Sequence, residues 1–198
     1  MNGDQAYFII ADYLTGKLWH VSSGSNNPPL NWLNIWIACN NTPNVHNKYV
    51  VMDQGGEMSQ NPTIVSLFDK YVYAVRCTAS DTSPKNYPDE GPCRYIGEAV
   101  SSLMEGNQVT PKVFPYSLNL NIKVRGMVPH GESGLSPDEQ ISVNRPYAGS
   151  LKIFGCQVYV RSPGRRRKNM HNHVKKGILM YIKLPPVRYI IKIWTLKW

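Results

Sequence analysis

From Leu151 to Trp198 the chain carries 12 lysines and arginines and not one aspartate or glutamate. The 150 residues before it hold 10 Lys+Arg against 13 Asp+Glu, a net charge of −3. A break this sharp divides the chain into a near-neutral part and a strongly basic one. The cations of the second part alternate with Ile, Val, Tyr and Trp, so they are displayed from strands and do not form a solvated tail. Three strand-like runs (151–160, 174–183 and 187–194) are separated by loops containing Pro163-Gly164 and Pro185-Pro186. That pattern predicts a small β-barrel. An acid-free basic sheet calls for a polyanion, with nucleic acid ahead of a membrane surface.

The first part reads as α/β. Tyr7–Ala11 and Lys17–Val21 are strands around the turn Leu14-Thr15-Gly16. Pro28-Pro29 opens a helix with Leu30, Leu33 and Ile37 on one face and Trp32 and Trp36 beside it. Lys48–Met52 is a β-branched and aromatic strand. Asn61-Pro62 supplies an N-cap and a first-turn proline for a helix whose core face is Ile64, Val65, Leu67 and Phe68. Tyr71–Cys77 is a strand, and Gly91–Glu105 a helix with Ile96, Val100, Leu103 and Met104 at helical spacing. Between 112 and 125, Leu118, Leu120, Ile122 and Val124 alternate with polar residues, which by period is a strand.

Two acids stand where chemistry is expected. Asp53 follows the strand Lys48–Met52 and precedes Gly55-Gly56; Glu90 lies at the start of the helix after the next strand. Carboxylates at a strand end and a helix start can converge on Mg²⁺, a cation that demands hard oxygen ligands. Acids also favour turns and helix N-termini without any such role. His130-Gly131-Glu132-Ser133-Gly134 fails as a hydrolase elbow, because G-x-S-x-G needs glycine where Leu135 stands.

M-D-Q-G-G-E at 52–57, S-D-T-S-P-K-N-Y-P-D-E at 80–90 and L-K-I-F-G-C-Q-V-Y-V at 151–160 resemble three landmarks of Copia-type retrotransposon integrases, in the family's order. S-P-D-E at 136–139 and K-K-G-I-L-M-Y-I at 175–182 are similar to further segments of that family. The resemblance implies an α/β fold: a ribonuclease H-like mixed sheet flanked by helices over residues 1–148, then a small SH3-like β-barrel over 149–198. It implies a helix at 112–125, against the alternation. It also implies DNA integration by polynucleotidyl transfer with two Mg²⁺ (or Mn²⁺), in which Asp53 is similar to the second catalytic Asp and Glu90 to the catalytic Glu. Both would be metal ligands.

The family's first catalytic Asp belongs to a strand upstream of Tyr7–Ala11, and Asp12 matches a turn residue, not that ligand. Lys85-Asn86-Tyr87 replaces a Gln-Asn-Gly-type run. The expectation is therefore an N-terminally truncated, degenerate integrase, inactive as given, with metal binding weak or absent. The alternative is a non-catalytic nucleic-acid-binding remnant, or a pseudogene product without function. In either binding case the DNA-contacting residues expected are Arg161, Arg165, Arg166, Arg167, Lys168, Lys175 and Lys176.

Cys39, Cys77, Cys93 and Cys156 are too scattered for a zinc site or a disulfide framework. With no signal peptide and no membrane span, the expectation is an intracellular protein, nuclear or cytoplasmic, able to form homo-oligomers and without a small-molecule cofactor.

Overall fold

The computed structural model describes residues 6–41, 48–52, 58–77, 87–107, 111–129, 133–161, 174–183 and 188–193. It is a mixed α/β structure that divides into two compact units, Met1–Ala11 with Trp19–Cys93, and Asp12–Leu18 with Arg94–Trp198.

In the first unit, β1 (Ala6–Ala11) pairs with β2 (Leu18–Ser23). The turn joining them is closed by its own groups: Gly16 N–H donates to the Asp12 carbonyl at 2.8 Å and Thr15 N–H to Asp12 Oδ2 at 3.0 Å. Gly16 takes φ 69°, a conformation that costs glycine little. Asp12 is thus a turn residue, as its sequence context predicts.

β3 (Lys48–Met52) and β4 (Tyr73–Cys77) run parallel, Lys48 opposite Tyr73 and Met52 opposite Cys77. The crossover between them is α2 (Pro62–Lys70), whose N-cap Asn61 accepts from Thr63 N–H at 3.1 Å. A single core joins these pieces. Leu33 and Ile37 of α1 (Leu30–Asn40), Met52, Ile64 and Phe68 are buried together, with Ile10, Val50, Tyr73 and Val75 packed around them. Trp19 meets Trp36 edge-on at 5.5 Å. Among the described residues, β1–β2 and β3–β4 are two separate two-stranded sheets, where one mixed sheet was expected.

The second unit takes up α3 (Tyr87–Gly106) from Arg94 on, where the helix buries Ile96 and Val100. α4 (Phe114–Met127) settles the conflict over 112–125 in favour of a helix. Its buried residues are Ser117, Leu118, Leu120, Asn121, Ile122 and Gly126, which surround the helix axis. A helix covered on nearly every side shows no apolar stripe, so the alternation there is a coincidence of composition. α5 (Pro137–Ser142) opens with a reciprocal capping box between Ser136 and Glu139. Its Asp138 forms an ion pair with Lys17, packed against Gly126, where a Cβ would lie 2.9 Å from Asp138 Oδ1.

The C-terminal sheet is antiparallel in the order β5 (Gln157–Arg161), β6 (Val174–Lys183), β7 (Arg188–Ile193). The strand expected from 151 begins only at Gln157, because Gly155 adopts φ 73° and turns Phe154 inward to 2% exposure. Phe154, Met180, Leu120 and Val113 form this unit's core, with Ile178 and Val124 against it. Three strands without barrel closure are present among the described residues.

Candidate nucleic-acid interface

The three-stranded sheet decides which cations can act together. Side chains directly opposite in an antiparallel pair share a face, and so do residues two apart along a strand. Tyr159 stands opposite Lys176, Arg161 opposite Val174, and Ile178 opposite Lys192. Arg161, Lys176 and Lys192 therefore lie on the face that carries Tyr159. Val160 stands opposite Lys175, so Lys175 belongs to the reverse face. Arg161, Lys175 and Lys176 are all exposed. Arg165, Arg166, Arg167 and Lys168 lie outside the described residues.

Gln157, Tyr159 and Arg161 form one exposed row along β5, and Tyr159 is 67% exposed. The Gln157 amide donates to the Tyr159 hydroxyl. An aromatic ring with a cation two residues on along the same face follows from the alternation in Q-V-Y-V-R; the cation across the ladder follows from the register. Sequence reading named Arg161 and passed over Tyr159 and Lys192. The alternation alone could have found the first; Lys192 needs the register.

The position that holds Gly177 in the middle of β6 is equally constrained. A Cβ there would lie 2.7 Å from Ile191 Cγ2 and 2.7 Å from the Lys192 carbonyl oxygen. β7 approaches β6 closely at this point.

The expected acid pair is placed only in outline. β3 ends at Met52, and Asp53 lies outside the described residues. Glu90 is the fourth residue of α3, and its side chain is also outside the description. Helix α3 starts at Tyr87, earlier than the Gly91 read from periodicity, so Glu90 falls within its first turn. Among the described residues there is no cluster of three metal-ligating side chains. A groove of about 370 Å³ in the first unit, lined by Asn31, Asn34, Thr63, Ser66 and Lys70 beside Leu30 and Leu67, contains no acid.

The described cysteines Cys39, Cys77 and Cys156 are free thiols, as their spacing predicts. No helix among the described residues is long and apolar enough to cross a membrane.

No protein-family model matches the chain. No curated protein matches it either. Among solved structures the chain is similar to the crystal structure of the catalytic core domain of BIV integrase in crystal form I. The TM-score is 0.48 and the identity 12%, over 68% of this chain and 83% of that one.

Proposed function

We propose that this chain binds nucleic acid through the C-terminal sheet, as part of a Copia-type integrase whose Asp53 and Glu90 hold a divalent metal. One observation carries the binding half of this reading. Arg161 and Lys176 are exposed on one face of a sheet drawn from a segment without a single acid, so no carboxylate of that segment competes for them. Cations held on one rigid face can meet successive phosphates together, and each phosphate neutralised releases counterions. The Arg165–Lys168 run, between β5 and β6 in sequence, adds four more charges to the same segment.

The integrase half rests on the sequence resemblance. The donor set fits the metal: two carboxylates are hard oxygen ligands of the kind Mg²⁺ takes. Asp53 and Glu90 would hold it, and a bound Mg²⁺ would supply charge stabilisation at phosphate oxygens. In this reading a carboxylate following β3 and a carboxylate in the first turn of α3 would converge on one ion.

Titration of the full chain with duplex DNA in rising salt tests the binding reading. With about five phosphates neutralised, log K falls against log[salt] with a slope near −4 to −5. Replacing Arg165–Lys168 by alanine lowers that slope and leaves base preference unchanged. No binding at low salt, or a flat salt dependence, refutes the reading.

A further inference from the structure

We propose that Tyr159 is a stacking platform for an unpaired base, which makes single-stranded nucleic acid the specific ligand of the basic sheet. This rests on the nucleic-acid reading above and deepens it. The observation is the combination at one spot of β5: a tyrosine 67% exposed, Arg161 two residues along the same face, and Lys176 directly across the ladder. A large exposed ring in the middle of a strand leaves apolar area in water. Its hydroxyl accepts a hydrogen bond from the Gln157 amide, and a tyrosine has only two side-chain torsions to fix when a flat partner settles on it.

The neighbours select the partner. An apolar protein surface would have to cover Arg161 and Lys176 as well as the ring, stripping two cations of water with no acid in the segment to receive them. A nucleotide carries its own counter-charge: with its base on the ring, its backbone phosphates would meet the flanking cations. Stacking on aromatics between cations is how single strands are held without sequence preference. A duplex keeps its base faces inside the stack, so a duplex reaches the cations but not the ring without first unstacking.

The test compares a labelled deoxythymidine homopolymer with a mixed-sequence duplex of equal length, both titrated against the full chain. Tyr159→Ala and Tyr159→Leu should each weaken single-strand binding at least about fivefold, the low end of one base–aromatic stack. Duplex affinity should change less than about twofold, and Tyr159→Phe should keep most of the single-strand affinity. The salt slope for the single strand should be the same in wild type and Tyr159→Ala, because stacking releases no counterions, whereas Arg161→Gln should lower it by about 0.7. If the alanine variant fails to fold, the Leu and Phe variants carry the same comparison. Equal losses for duplex and single strand, or no loss with either, overturn the stacking role while leaving electrostatic binding intact. Absence of binding to both forms at low salt overturns the nucleic-acid reading itself, and this inference with it.

Discussion

Gly177→Ala tests whether the spacing of β6 and β7 is set where the structure places it. The added Cβ would stand 2.7 Å from Ile191 Cγ2 and 2.7 Å from the Lys192 carbonyl oxygen, with Ile193 Cα at 3.4 Å. The Ile191 methyl belongs to a side chain that can rotate. The carbonyl belongs to β7 and moves only if the strand moves, which disturbs the pairs Gly177–Ile193 and Ile178–Lys192. Overpacking of this kind costs about 1–3 kcal/mol. Replacing a glycine also restricts the unfolded chain, which returns about 0.4–1 kcal/mol. The net expectation is a loss of about 1–2 kcal/mol. With a urea dependence of about 2 kcal/mol per molar, the midpoint falls by about 0.5–1 M.

Equilibrium urea unfolding followed by far-ultraviolet circular dichroism measures this directly. Ile191→Ala in the same background relieves the methyl contact but not the carbonyl one. The double variant should therefore lose less than the two single losses added together. A midpoint unchanged or raised in Gly177→Ala would refute the packing reasoning, because it would mean that β7 can retreat at no cost.

Two further predictions concern acids. Hydrogen bonds from the Ser136 backbone and side chain hold the Glu139 carboxyl below its ordinary value of 4.5. A carboxylate with a lowered folded-state pKa stabilises the fold fully above its unfolded value and loses that contribution as pH falls through the folded one. Urea midpoints measured downward from pH 5 should therefore fall less steeply in Glu139→Gln than in wild type; superimposed curves would refute the capping role. If Asp53 and Glu90 share a divalent ion, Mg²⁺ at one hundred times its Kd stabilises the chain by about 2.7 kcal/mol, and Glu90→Gln removes that gain. A thermal midpoint indifferent to Mg²⁺ in the wild-type chain would count against the metal site.

The elements most legible in the sequence are those whose local chemistry and burial agree. Asn61-Pro62 caps α2, and of its expected core face Ile64 and Phe68 are buried in the core with Leu67 packed against it. β3 matches its β-branched run residue for residue. Where sequence and structure part, a single backbone conformation or an all-round environment is responsible. β4 begins at Tyr73 and not Tyr71, because Val72 sits at φ 61° and cannot be strand. The run from Leu151 is broken by Gly155 in the left-handed region. α4 has no amphipathic period because Ser117, Asn121 and Gly126 are buried along with its leucines and isoleucine. There the family resemblance was a better guide than periodicity, since it draws on order along the chain and does not depend on which side of a helix meets water.

Composition points to a polyanion partner, but not to the surface that would meet it. Seven cations were expected to act together. Pairing in the ladder separates adjacent residues, with Lys176 beside Tyr159 and Lys175 beside Val160 on the reverse face. The same pairing brings in Lys192, distant in sequence, through Ile178. Phosphates of one strand can follow only one face of a sheet at a time, so Lys175 and Lys176 should not contribute equally to the salt slope. Lys176→Gln should lower it by close to one unit for duplex, the value for a single phosphate contact, and Lys175→Gln by less. Equal effects would mean that the nucleic acid wraps the edge of the sheet and does not lie across the Tyr159 face, and the register would then no longer identify the interface.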